Sequence, residues 1–342
     1  MSDPLIYDLV KNNYTHFKRH KGLFGIELET ETLNNYELPN MTYWNTISDG
    51  SLRNYGIEYV LKVPLLYEDL PLAFEEFDGL GFKFLKDSVS TSTHVHVNFL
   101  NETMTTMGNF ICLYSLIENL LVKISGEDRL SNLFCLPMKD AEENFYNAKT
   151  FVSGCAENKY SRMSVSADYT KYAGLNLAAF GRFGSLELRT FRGVTKTSEI
   201  KDWIDIINEM VEFSRKNKNP TVFMKEYLKN PENFLSQVFS KDYFVGIDTL
   251  GLMEENLWYA STLAFSYKWV TPKVNPPFGI RVLNKESRDN YEKDFANLTA
   301  GQQRNIISHL QNLRSMEAIP QEVPRRNPVT FGSLTRVRAE EY

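Results

Sequence analysis

Apolar and polar positions along the chain fall into two rhythms. Leu23–Thr30, His94–Phe99 and Ser185–Phe191 alternate with a period of two, which predicts strands with one buried face. Gly56–Val60 begins a further strand. Helical spacing runs through residues 2–19, where Leu5, Ile6, Leu9, Val10 and Phe17 recur after a candidate cap at Ser2. Leu65–Phe77 reads as a short helix. The clearest helix is Met107–Ile124, with Phe110, Ile111, Leu113, Tyr114, Ile117, Leu120, Leu121 and Ile124 on one broad face. Another spans Glu199–Phe213, with Ser198 as its expected cap and Ile200, Trp203, Ile204, Ile207, Met210 and Val211 turned inward. Strands separated by helices, without βαβ regularity, predict an α+β fold: an antiparallel sheet packed with helices.

The texture changes after residue 214. Ser214-Arg215-Lys216-Asn217-Lys218-Asn219-Pro220 reads as a polar linker. Helical patterns follow at Val222–Leu228, Asp248–Phe265 and Ala300–Ser315, with prolines thickening towards the end. The expected organisation is an N-terminal helix (1–19), a core (20–214), a helical C-terminal extension (215–315) and an extended arm or tail (316–342).

Composition narrows the class. Of the 342 residues, 13% are aromatic, with 23 Phe and 18 Tyr, which argues for a sizeable core and against disorder. The net charge of -5 and the lack of a long like-charge run exclude a polyanion-coating protein, so neither nucleic acid nor a membrane surface is an expected partner. No stretch approaches the roughly 20 apolar residues of a bilayer span. The N-terminus lacks an apolar signal core, and Cys112, Cys135 and Cys155 show no CxxC spacing. These features lead us to expect a cytoplasmic protein. Neither GxxxxGK[ST] nor GxGxxG occurs, so a P-loop or dinucleotide fold does not supply any phosphate cradle.

Three of the strands carry paired polar groups at i and i+2, hence on one face. Glu27 and Glu29 alternate with Ile26 and Leu28. His94 and His96 alternate with Val95 and Val97, and Glu187 and Arg189 with Leu186 and Leu188. Any one pair fits the wet face of an amphipathic sheet. Three pairs together, with no Lys, Ser or Thr as filler, favour a site. Carboxylates with an occasional imidazole suit Mg²⁺ or Mn²⁺, and an Arg on the same face can neutralise a transferring phosphoryl group. Asp49 lies in an Asp-Gly turn signature and Glu58 on the next strand, and each has an ordinary structural reading. Asn176 reads equally as a buried hydrogen-bonding residue or as a ligand contact.

Taken in order, GIELE (25–29), W…SDGSL (44–52), GIEYV (56–60), THVHVNF (93–99), KYAGLNL (171–177) and GSLELRTFRG (184–193) resemble the amidoligase family of carboxylate–amine ligases. The resemblance covers about residues 20–214 and implies a sheet like the half-barrel of glutamine synthetase and glutamate–cysteine ligase. It also implies ATP and Mg²⁺ (or Mn²⁺) as cofactors, an acyl-phosphate intermediate, and an amine that displaces phosphate to form an amide. By motif position, Glu27, Glu29, Glu58, His94 and Glu187 would be metal ligands, with His94 and Glu187 on the ion that bridges ATP. Arg189 would stabilise the transferring phosphoryl group and Asp49 would lie near the amine or the site entrance. His96, Asn176 and Lys171 would, with His94, face the nucleotide. The substrates implied are small-molecule or peptide carboxylates and amines, and a homo-oligomer is a further expected partner. This sequence departs from the family pattern at Ser92 and Thr93, where a Gly commonly precedes the HVH strand, and at Lys171, where Arg is commoner. Two rival readings stand beside this one. One is a metal-dependent hydrolase using His94, His96 and a carboxylate. The other is a non-catalytic scaffold in which the proline-rich tail docks on a partner.

Overall fold

The computed structural model describes residues 3–32, 40–48, 52, 55–81, 90–126, 129, 132, 135–138, 142–159, 172–194 and 196–268. The expected arm at 316–342, the helix expected at 300–315 and the Ser2 cap lie outside them. One compact unit runs from the N-terminus to Pro272.

Among the described residues, six strands form one open antiparallel sheet. They are β1 (Phe24–Thr30), β2 (Trp44–Ser48), β3 (Ile57–Leu61), β4 (Ser92–Asn98), β5 (Leu175–Asn176) and β6 (Ser185–Arg192). Their order is β2-β3-β1-β4-β6-β5, so the strands with paired polar groups sit side by side. All adjacent pairs are antiparallel, and the architecture is α+β. The alternation settles the register: Ile26, Leu28, Val95, Val97, Leu186 and Leu188 are buried together on one face.

Nine α-helices occur among the described residues: α1 (Ile6–Val10), α2 (Leu70–Asp78), α3 (Met104–Ser125), α4 (Glu142–Glu157), α5 (Ala179–Phe183), α6 (Lys201–Lys216), α7 (Pro220–Lys229), α8 (Leu235–Val238) and α9 (Thr249–Lys268). The centrepiece is α3, which packs on β6 and is surrounded by α4, α6, α7 and α9. By length and hydropathy α3 passes as a membrane span, contrary to the sequence expectation that no stretch approaches one. Its window is 89% buried inside the fold, so its apolar surface faces helices and sheet instead. Thr103 caps it, accepting from the Thr106 amide. Cys112, Cys135 and Cys155 are buried free thiols.

Local expectations differ from the structure in four places. The helix expected from Leu65 begins only at Leu70, after a 3₁₀ turn at Tyr67–Asp69, because Leu65 pairs with Phe24. The helical pattern over residues 2–19 yields a helix only at Ile6–Val10. Beyond it, Asn13 and Tyr14 both bond back to the Val10 carbonyl, and the chain leaves in turns. Ser198 does not cap α6. A 3₁₀ turn, Thr197–Glu199, precedes that helix, and Asp78 of α2 receives the Thr197 amide (2.9 Å) and hydroxyl (2.7 Å). Finally, the supposed linker at Ser214 is the last turn of α6. Asn109 of α3 reaches across to donate to the carbonyls of Ser214 (2.9 Å) and Asn217 (2.8 Å), which satisfies the helix end inside the core.

Candidate active site

The open face of the sheet gathers the paired groups because strand order and register bring them level. Glu29 stands opposite Glu58, Glu27 opposite His94, His96 opposite Glu187, and Asn176 opposite Glu187. Two sets of potential ligand atoms lie within 4.8 Å of one another: Glu27, Glu58 and His94, and Glu27, His96 and Glu187. Glu27 belongs to both. Gly25, opposite His96, makes room for the ring, because a Cβ there would lie 3.2 Å from the His96 Cβ.

Hydrogen bonds fix how these groups point. The two oxygens of Glu27 divide between the imidazoles: Oε2 lies 3.1 Å from His94 Nδ1 and Oε1 3.2 Å from His96 Nε2. Burial alone would raise the Glu27 carboxyl, but the hydrogen bonds and charge of the two imidazoles hold it well below the usual carboxylate range. Glu187 is likewise held low against its burial, by the charges of His96, Arg189 and His94. The His96 imidazole is raised despite burial, because Glu27 accepts its hydrogen bond and Glu187 lies near. Its Nδ1 meets the Ser185 hydroxyl at 3.0 Å.

Ser92 decides the orientation of His94. Its backbone amide donates to Glu29 Oε2 at 2.7 Å, and its hydroxyl lies 2.5 Å from the same oxygen. An ionised carboxylate only accepts, so the hydroxyl proton points to Glu29 and Ser92 Oγ accepts from His94 Nε2, 2.7 Å away. The N–H is thereby assigned to Nε2. The other ring nitrogen, Nδ1, then faces Glu27 and, at 3.5 Å, Glu187 Oε1. The same geometry disfavours a Ser92–His94–Glu27 nucleophile triad, since the serine proton already points away from the imidazole.

Asn176 is buried and donates to Glu187 Oε2 at 2.7 Å, while its own carbonyl accepts from the Ala178 amide. It orients the Glu187 carboxylate. Arg189 donates to the other oxygen of Glu187. It sits at a β-bulge, since the register between β4 and β6 shifts between Thr93 and Val95, leaving Arg189 and Thr190 opposite His94.

Beside Glu27 and His96 a cavity of about 300 Å³ opens on this face. Lys18, Lys62 and Arg182 stand around it, with Phe17 and Phe183 as apolar wall. One wall is the segment before β1. Asn98 donates to the Gly22 carbonyl (2.8 Å), Asn101 to the His20 carbonyl (2.6 Å), and Arg19 to Asn101 (2.8 Å). His16 closes the rim against the Gly181 carbonyl at 3.2 Å.

The structure therefore brings Glu27, Glu29, Glu58, His94, His96, Asn176, Glu187 and Arg189 onto one face. Asp49 and Lys171 lie outside the described residues. Glu58 stands with His94, and His96 with Glu187, while one Glu29 oxygen is engaged by Ser92. Ser92, Ser185 and Asn98 escaped the sequence reading, although Ser92 was visible as a departure just before the HVH strand.

The donor set of carboxylates with two imidazoles fits Mg²⁺ or Mn²⁺. In comparisons with known proteins, residues 61–211 match the model of a family described as "Putative amidoligase enzyme". The matched segment carries His94, His96, Asn176, Glu187 and Arg189 and begins just after Glu58. The amidoligase assignment drawn from the motifs is borne out over that segment, and a ligase is the activity it supports. No curated protein matches the chain.

Proposed function

We propose that this protein is an ATP-dependent carboxylate–amine ligase working with Mg²⁺ or Mn²⁺. The observation that carries this reading is Glu27, whose carboxylate is shared by two sets of ligand atoms on the open face. Glu27, Glu58 and His94 would hold one ion, and Glu27, His96 and Glu187 the other. Bound divalent ions would neutralise the polyphosphate and polarise the γ-phosphoryl group. The cavity rim of Lys18, Lys62 and Arg182 supports an anionic ligand next to that cluster.

The chain's own residues supply the rest. Arg189, held on Glu187, would meet the charge that develops as an oxygen of the substrate carboxylate attacks Pγ and ADP leaves. Asn176 keeps Glu187 turned for this contact. The amine nitrogen would then attack the acyl carbon, phosphate would depart, and the nitrogen would lose a proton, with the Asp49 carboxylate as the base expected to take it. We place the reaction in the cytoplasm, a reducing setting that suits three buried thiols, with amino acids, peptides or polyamines as the co-substrates.

Purified protein incubated with ATP, Mg²⁺ and a panel of carboxylates and amines should release ADP and phosphate in step with amide formation. Glu27→Gln should lower turnover by at least about a hundredfold. No nucleotide binding at millimolar ATP, together with an unchanged Glu27→Gln variant, would sink the proposal. Tight zinc occupancy without any response to ATP would point to the hydrolase instead.

A further inference from the structure

Arg129 follows α3 and is 3% exposed, an unusual degree of burial for a guanidinium. Its Nε donates to the Thr190 carbonyl at 3.1 Å and its Nη2 to the Arg189 carbonyl at 2.7 Å. Those are the two residues of the β6 bulge, and neither is paired in register with β4 or β5. Among the described residues β5 is two residues long and pairs β6 only through Leu175 and Asn176. Just before it, the Gly174 carbonyl accepts the Arg189 amide at 2.8 Å. From there on Arg129 takes the place of a neighbouring strand.

The chemistry suits that place. A buried carbonyl without a donor costs about 1–3 kcal/mol. A planar guanidinium fork can serve two adjacent carbonyls at once, as an ammonium cannot. Held this way, the bulge breaks the period-two alternation: Leu188 and Phe191, three positions apart, both enter the core. Arg189 is left on the open face against Glu187.

We propose that Arg129 is a positioning residue: through the bulge it sets where the Arg189 guanidinium stands beside Glu187 and the ligand cluster. The proposal rests on the ligase reading, in which Arg189 meets the γ-phosphoryl group. Arg129 acts from the edge of β6, through the Thr190 and Arg189 carbonyls.

The test uses the full chain as wild type, Arg129→Lys, Arg129→Gln, Arg189→Gln and the Arg129→Lys/Arg189→Gln double variant. Hydrogen–deuterium exchange and MgATP affinity are measured on each. Arg129→Lys should speed exchange in the peptide 185–192 while α3 stays protected, and should weaken MgATP about tenfold. The double variant should bind no more weakly than Arg189→Gln alone, because the first change acts through the second residue. Unchanged exchange over 185–192, or losses that multiply in the double variant, would overturn the proposal. Loss of α3 protection in both Arg129→Lys and Arg129→Gln would overturn it too, assigning Arg129 to folding alone. Wild-type protein that binds no MgATP sinks the ligase reading and Arg189's role with it. The exchange data separate that failure from a failure of Arg129 to hold the bulge.

Discussion

The two faces of the sheet are made by the same strands and are held in opposite ways. On the core face, Ile26, Leu28, Val95, Val97, Leu186 and Leu188 meet α3 and its neighbours through many small contacts. On the open face, four carboxylates confront two imidazoles and one guanidinium, and Glu27, Glu29, Glu187, His94, His96 and Arg189 are oriented by a few hydrogen bonds. The core face is redundant, so its loss is graded and felt as stability. The open face carries excess negative charge that cations can relieve, so its loss is felt as affinity and turnover.

The sharpest break on the core side is Phe110→Ala. The Phe110 ring is fully buried and sits edge-on to Phe99 at 5.3 Å. Chemical denaturation should report about 3–5 kcal/mol lost. A loss under about 1 kcal/mol would mean that α3 is not the keystone of the core. On the open face, Glu27→Gln should abolish the rise in melting temperature that Mn²⁺ gives the wild type, because both ligand sets lose their common member. A rise of wild-type size in that variant would break the contrast between the faces.

Ser92→Ala is the finer probe. It frees Glu29 and His94 from each other without removing a charge, and Mn²⁺ affinity should fall about tenfold with little change in metal-free stability. Titration followed by the free Mn²⁺ resonance would decide it.

The smallest effect belongs to Glu76, which receives the backbone amides of Thr42 and Tyr43 ahead of β2. Partial burial opposes ionisation there, but those amides, the Thr42 side chain and Lys62 hold the carboxyl below its ordinary value. A carboxyl lowered on folding stabilises above its unfolded pKa, and that contribution disappears as pH falls through the folded value. Glu76→Gln should therefore cost on the order of 1 kcal/mol at neutral pH. The difference from wild type should vanish in acid, and a gap that persists there would point to packing rather than charge.

Much of this was legible in sequence because period-two alternation and an aromatic-rich helix are strong local signals. β1, β3, β4 and β6 fall where the alternation puts them, and so do the six groups of its three pairs. β2 was hidden because, as an edge strand, it buries only Trp44 fully and leaves Ile47 half exposed. β5 was hidden by its length. The bulge at Arg189–Thr190 left no trace because Thr suits either face of a strand. Arg129 was silent for a deeper reason: its partners are backbone carbonyls, which look the same at every position.

The long apolar α3 also has a consequence for synthesis. Its partner helices α6 and α9 are encoded after it, and α9 ends about 140 residues beyond Ser125. At ordinary translation speeds, its most apolar stretch waits on the order of ten seconds for its cover to emerge from the ribosome. Through that interval a helix built as a domain core presents itself as a membrane signal. Chaperones that bind it early, or pauses that lengthen the wait, would govern yield more than the stability of the finished fold.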